Sequence, residues 1–214
     1  LRVARVRLVN HGAVTRRLSL FAYAELVLGG LPEESGRFVV TKAEPASGVL
    51  FGRSAFAAEY RDGVADAAAT TAAGPATVYW TADRAAFLGP GGTLAHPAAL
   101  QRGAVLGGHT GAGLEPCFAH QVTLTLEAGA AAEVAFLLGE GSGEAEARAL
   151  AARYASPGAI ESAEHEVVGF WHDLVTGIQI RTPVPAIDLM VNGWLAYQTL
   201  ACRIWARSAF YQSG

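Results

Sequence analysis

From its first residue to about position 138 the chain repeats apolar side chains at every second position; beyond that the spacing lengthens to a helical one. The clearest stretch covers residues 14–28. Its even positions include Val14, Leu18, Leu20, Ala22, Ala24, Leu26 and Leu28, broken by Arg16. Its odd positions mix Thr15, Arg17, Ser19 and Glu25 with Phe21, Tyr23 and Val27. Successive side chains of a strand point to opposite faces, so this pattern predicts one buried and one partly polar face. Ala4, Val6 and Leu8 share a face of an earlier strand, and Asn10-His11-Gly12 supplies turn residues for a hairpin joining the two. Further strands are expected at 37–41, 49–60, 77–81, 121–127 and 133–138, with 126–130 as a second hairpin turn. Short antiparallel runs separated by Gly- and Pro-bearing loops indicate a mainly β fold, a β-sandwich.

The second part reads as helices. Ser142 is placed to N-cap a helix with Glu144 and Glu146 in its first turn, where carboxylates suit the dipole. Pro157-Gly158 is expected to end it. A second helix is expected over 159–175, with Ile160, Val167, Trp171 and Leu174 on one stripe and Gly177 at its end. An extended link at 178–181 follows, and Pro185 suits the first turn of a third helix over about 186–207. That helix carries Ile187, Met190, Trp194, Tyr197, Leu200, Ile204 and Trp205, apolar almost all round, and so needs neighbours on several sides. The expected division is a sandwich over 1–140, a helical linker over 141–183, and the start of an all-α domain over 184–214. Without a leading methionine, and ending just past that helix, the chain reads as part of a longer protein.

Composition narrows the partners. Hydrophobic residues make up 51% and charged ones 16%, enough for a sizeable core and against disorder. Sixteen basic residues face nineteen acidic ones, so there is no basic excess to grip nucleic acid or anionic lipid. No signal peptide is visible, and the apolar stretch 187–209 is broken by Asp188, Asn192, Gln198, Arg203 and Arg207, which argues against membrane insertion. Cys117 and Cys202 lie in different kinds of segment and read as reduced thiols of a cytoplasmic protein.

Candidate chemistry is sparse. None of the histidines at 11, 96, 109, 120, 165 and 172 has metal-ligand spacing, so no metal or cofactor is expected. The glycine-rich run 107–113 leads toward a strand, whereas a phosphate loop must open a helix. Ser54 and Ser208 each sit in Arg-Ser-Ala-Phe without the frame of a nucleophile elbow. Glu33-Glu34 occupies a Pro-led turn, Glu161, Glu164 and Glu166 a solvated helix face, and Asp188 a helix start; none forms a catalytic pair. Arg207 closes the third helix, where a cation complements the dipole.

Four segments carry a family resemblance: 10–29 (NHGAVTRRLSLFAYAELVLG), 87–100 (FLGPGGTLAHPAAL), 111–141 (GAGLEPCFAHQVTLTLEAGAAAEVAFLLGEG) and 188–214 (DLMVNGWLAYQTLACRIWARSAFYQSG). Together they resemble glycoside hydrolase family 94, the cellobiose- and chitobiose-phosphorylase family, and within it the phosphorylase-like domain of cyclic β-1,2-glucan synthases. The resemblance implies a β-supersandwich of the galactose-mutarotase type, linker helices, and the first helix of an (α/α)6 barrel. It implies phosphorolysis of a β-glucan with inversion, giving α-glucose 1-phosphate, with inorganic phosphate as co-substrate. The family's acid would lie beyond Gly214, so the chain alone is expected to be inactive. Arg207 matches an arginine that contacts phosphate in related phosphorylases, a role suited to a permanently charged, two-pronged donor. The implied partners are a β-glucan oligosaccharide, phosphate, the rest of the parent chain and a homodimer mate, the parent being compatible with attachment to the inner membrane. A non-catalytic carbohydrate-binding or assembly module, and a hydrolase using water, stand as the alternatives.

Overall fold

In the computed structural model, which describes residues 1–57, 64–71 and 76–205 (backbone alone at 64–71, 157 and 203), eight strands form two antiparallel sheets. They are β1 (Arg2–Val9), β2 (Arg16–Glu25), β3 (Val39–Glu44), β4 (Val49–Ser54), β5 (Val64–Thr71), β6 (Ala76–Asp83), β7 (Pro116–Leu126) and β8 (Ala131–Gly141). The larger sheet has the order β1-β8-β5-β4-β3 and the smaller β2-β7-β6. This is the supersandwich the resemblance implies, followed by helices.

Neither expected hairpin forms. β1 pairs with β8 from Arg2↔Leu138 to Val9↔Ala131, while β2 pairs with β7 from Arg16↔Leu126 to Glu25↔Cys117. Both turns therefore carry the chain from one sheet to the other. Asn10 explains why a turn-rich sequence crosses here. Its buried amide donates to the carbonyls of Val14, Leu126 and Glu127 at 2.9–3.0 Å, and its Oδ1 accepts from Gly12 N at 3.1 Å. One side chain thus ties the two crossovers together at one corner of the sandwich.

The core follows the alternation. Val122, Leu124 and Leu126 of β7 meet Val134 and Phe136 of β8 between the sheets, with Leu8, Leu18, Leu20 and Val78 packed around them. Leu26, Leu28, Val39, Leu50 and Phe118 extend that interior. The opposite face of the small sheet is covered by α2 (Arg84–Leu88), whose Phe87 and Leu88 pack with Cys117, Ala119, Phe21 and Tyr23. Before it lies a one-turn helix, α1 (Pro32–Ser35), continued by a tight turn to Phe38 that delays the strand expected from residue 37 until Val39. The strand expected over 49–60 ends at Ser54, and 58–60 lie outside the described residues. β5 had no counterpart among the expected strands: its VADAAATT has almost no large apolar side chain to show a period.

Helix α3 (Glu144–Arg153) lies on the outer face of the large sheet, where Ala147 and Ala151 pack with Val49, Phe51 and Leu137. Its cap is Gly143, not Ser142; the Glu146 carboxylate instead folds back onto Ser142 N (2.8 Å) and Oγ (2.6 Å). Pro157 does not end this helix but opens the next, α4 (Pro157–Thr176), where its fixed φ suits a first turn. The chain forms two compact units, Leu1–Ala159 and Ile160–Gly214.

In the second unit a helical run over 185–205 opens with α5 (Pro185–Leu189), as expected from Pro185. It then alternates π turns (Met190–Trp194 and Thr199–Trp205) with the α turn α6 (Leu195–Gln198). The extended link is held against it: Asn192 exchanges hydrogen bonds with Ile180 N and O at 2.8 and 2.9 Å, and Asp188 accepts from Thr182 N at 2.8 Å. Trp171 of α4 contacts both Tyr197 and Trp205, at centroid distances of 5.3 and 5.5 Å. Of the stripe expected on α4, Ile160 is buried whereas Val167 and Leu174 are exposed, as are Leu189, Trp194 and Ile204. Among the described residues no helix is long and apolar enough to cross a membrane.

Candidate functional site

Arg207 and Ser208 lie outside the described residues. Most other sequence candidates are absorbed by the fold. His120 points between the sheets with Nε2 2.8 Å from the Gly48 carbonyl, and burial pushes its pKa below the ordinary value. No group of three or more His, Cys, Asp or Glu among the described residues could hold a metal. The glycine-rich run stitches the two sheets along one edge. Gly108 N donates to Trp80 O and Ala82 N to His109 O, while Thr41 N donates to Gly111 O, at 2.7–2.9 Å. Ser54 Oγ is buried and accepts from the backbone of Phe56 and Ala57 at 3.3 and 3.0 Å, holding a turn.

A polar cluster at the ends of β2 and β7 is likewise structural. Asp83 caps α2 by accepting from Ala85 N at 3.1 Å. Arg84 donates to Glu115 at 3.0 Å, with Glu25 3.9 Å away, which pins the same helix to both strands. Burial, with nearby carboxylates, pushes the Cys117 thiol up to about 12, and burial likewise pushes the Tyr23 phenol up to about 12. A thiol so far from ionisation at neutral pH is no nucleophile.

One cavity combines groups that recognise a ligand. It has a volume of about 820 Å3 and lies between the 28–38 segment and the end of β4. Gly29 lets the wall form: with φ 157° it turns against Ser35, where a Cβ would stand 2.6 Å from that residue's own Cβ. Phe38 and Phe56 stack at 4.9 Å between centroids, and Phe56 is 70% exposed. Arg37 sets its guanidinium 4.8 Å from the Phe38 centroid, and Glu34 adds a carboxylate. Neither charged group makes a side-chain hydrogen bond or ion pair with another described residue. An open aromatic face beside one anionic acceptor and one fork of donors suits a neutral polyhydroxyl ring: apolar C–H groups on Phe56, hydroxyls on the charged pair. The sequence contained all four residues, but Glu34 read only as part of a Pro-led turn and Phe56 only as the end of an Arg-Ser-Ala-Phe segment. Their meeting depends on the pairing of β3 with β4.

Within the second unit, Trp171, Val175, Leu189, Met190, Trp194 and Tyr197 line an apolar cavity of about 750 Å3. Among the described residues lining it there is no carboxylate or imidazole for acid–base work.

Comparison with known proteins gives matches in two parts. Residues 1–157 match the glycosyl hydrolase 94 supersandwich domain, and residues 170–214 match the catalytic domain of the glycosyl hydrolase 94 superfamily. The chain is 33% identical over 215 residues to the cyclic beta-(1,2)-glucan synthase NdvB of Rhizobium meliloti (strain 1021), covering 99% of this chain and 7% of that protein. It is 30% identical over 132 residues to the N,N'-diacetylchitobiose phosphorylase of Vibrio furnissii, 60% of this chain and 16% of that one. The N,N'-diacetylchitobiose phosphorylase of Vibrio proteolyticus is 28% identical over 129 residues, 58% and 15% of the respective chains. The chain thus spans only a small part of each relative's length.

Proposed function

Since the chain belongs to the glycosyl hydrolase 94 family, we propose that it serves an inverting glycoside phosphorylase-like enzyme acting on β-glucan. The observation that carries this reading is the order of the two family matches on one chain, supersandwich first and catalytic domain after it. The similarity to a cyclic β-1,2-glucan synthase over nearly the full chain supports a β-1,2 linkage in the substrate. In this reading residues 1–140 form the sandwich, 141–183 the linker and 184–214 the start of the catalytic barrel.

Inverting phosphorolysis needs one acid to protonate the leaving oxygen while phosphate attacks the opposite face of the sugar, so the protein supplies no nucleophile. Bond making and breaking then deliver α-glucose 1-phosphate and a glucan shorter by one residue. The acid lies outside residues 1–214 in this reading, and Arg207 is assigned to the attacking phosphate. No metal or organic cofactor takes part, and inorganic phosphate is the co-substrate.

The test joins this chain to the remainder of a catalytic domain and supplies β-1,2-glucan with and without inorganic phosphate. Phosphate-dependent release of α-glucose 1-phosphate is expected, with none from the 214-residue chain alone. Equal cleavage without phosphate would replace the phosphorylase by a hydrolase; no cleavage under either condition would overturn both. The cavity at Phe38 and Phe56 favours a second reading, in which the sandwich holds glucan without turnover. Glucan binding by the 214-residue chain, together with an inactive complete protein, would select it.

A further inference from the structure

The outer face of the small sheet divides into two regions. At one end Cys117 and Ala119 are sealed beneath α2. At the other end the same face shows Arg17, Ser19 and Phe21 of β2, Gln121 and Thr123 of β7, and Tyr79 of β6, with Ser19 opposite Thr123 and both Phe21 and Tyr79 opposite Gln121. Here the 100–105 segment does not pack down but stands as a wall, leaving a cavity of about 690 Å3. Gln121 holds that wall in place. It is 2% exposed, accepts from Leu106 N at 3.1 Å, and donates to Ala104 O at 2.9 Å. A buried amide with both ends committed to a loop fixes the opening before any ligand arrives.

The lining has a definite charge. Arg17 and Arg102 both reach it, and among the described residues no carboxylate lines it and neither guanidinium has a hydrogen bond or ion pair. Two unneutralised guanidiniums select an anion, and phosphate oxygens match their geometry. Ser19 and Thr123, hydrogen-bonded to each other at 3.0 Å, retain capacity for a further partner, and Tyr79 adds a phenol. Leu100 and Val105 line the same space with exposed apolar surface. The volume falls within the roughly 300–1,000 Å3 of small-molecule pockets, larger than a bare phosphate ion needs. We propose that this cavity binds the phosphate monoester of a sugar, the phosphoryl group on Arg17 and Arg102 and the ring against the hydroxyls and the apolar wall. The inference does not depend on the phosphorolysis reading: it rests on the sandwich alone.

The experiment follows backbone amide shifts of the 15N-labelled 214-residue chain during titration with glucose 1-phosphate, inorganic phosphate or glucose. Glucose 1-phosphate is expected to shift the Gly103 and Ala104 amides with saturation, about tenfold tighter than inorganic phosphate, and glucose to leave them in place. An Arg17→Gln/Arg102→Gln double variant is expected to lose at least about tenfold in affinity with an unchanged melting temperature, since both side chains are exposed. An Arg207→Ala variant is expected to leave the Gly103 response intact, which separates this site from the phosphate contact assigned to that arginine. Absence of saturation below about 10 mM, an unaffected double variant, or equal response to glucose would overturn the proposal. Equal affinity for inorganic phosphate would overturn its sugar part.

Discussion

His120 donates its Nε2 hydrogen to the Gly48 carbonyl over 2.8 Å, bonding the central strand of the small sheet to the β3–β4 turn of the large one. The carbonyl can only accept, so Nε2 carries the proton. The ring is buried, and that burial holds its pKa below the ordinary 6.5 despite the opposing effect of the hydrogen bond. The unfolded chain therefore takes up a proton that the folded chain refuses as pH falls from about 6.5 toward the depressed folded value. Stability from this site is complete above about 6.5 and declines below it. Urea midpoints at pH 7.5 and pH 5.5 should show the native chain losing more stability than a His120→Gln variant, whose amide does not titrate; equal losses would remove His120 as the source.

Gly52 tests how tightly the sandwich interior is closed. A Cβ there would meet Leu26 Cδ2 at 2.5 Å and Phe118 Cζ at 3.1 Å, and both neighbours are buried in one cluster. Gly52→Ala is expected to destabilise by about 1–3 kcal/mol through overpacking. Gly30→Ala, where nothing lies within 4 Å, is the control and should cost far less. Denaturant unfolding of both variants checks the pair.

The layered β architecture was legible because β2, β7 and β8 alternate strongly enough to reveal which face is buried. Sheet membership was not. Turn residues such as Asn10 and Gly129 fit a hairpin and a crossover equally well, and the choice was made by contacts more than a hundred residues apart, the Asn10 bonds to Leu126 and Glu127. β5 escaped notice because its alanines and threonines carry too little hydrophobic contrast. Pro157 shows a similar ambiguity, since a proline marks the end of one helix and the start of the next with the same signal. The site was hidden for a different reason. Glu34, Arg37, Phe38 and Phe56 form a cavity only after β3 and β4 pair, and nothing in their local spacing indicates that meeting.

The exposed ring of Phe56 carries a prediction about glucan. Phe38 supports it from one side, and the other face is open to the cavity. Losing one such ring contact costs roughly 0.5–1.5 kcal/mol, so Phe56→Ala should weaken β-glucan oligosaccharide binding about two- to twelvefold. A Phe56→Trp variant, with a broader face, should keep or improve it. Isothermal titration calorimetry reads both; equal affinity of the alanine variant would remove the aromatic surface from glucan recognition. Its exposure makes a large loss of stability unexpected, and a melting curve separates that from a binding effect.

Arg207 carries the most direct prediction about phosphate. As a phosphate ligand it would supply charge-assisted hydrogen bonds worth about 1.5–3 kcal/mol. In the chain joined to its remaining catalytic domain, Arg207→Ala should raise the KM for phosphate about ten- to hundredfold, leaving glucan affinity little changed. Arg207→Lys keeps the charge but not the two-pronged geometry, so it should recover only part of the loss. A helix-capping role predicts otherwise: lower stability for the alanine variant, full recovery by lysine, and an unchanged KM for phosphate. Phosphate kinetics and thermal melts of the same two variants therefore decide between a ligand of the attacking group and a cation that merely closes a helix.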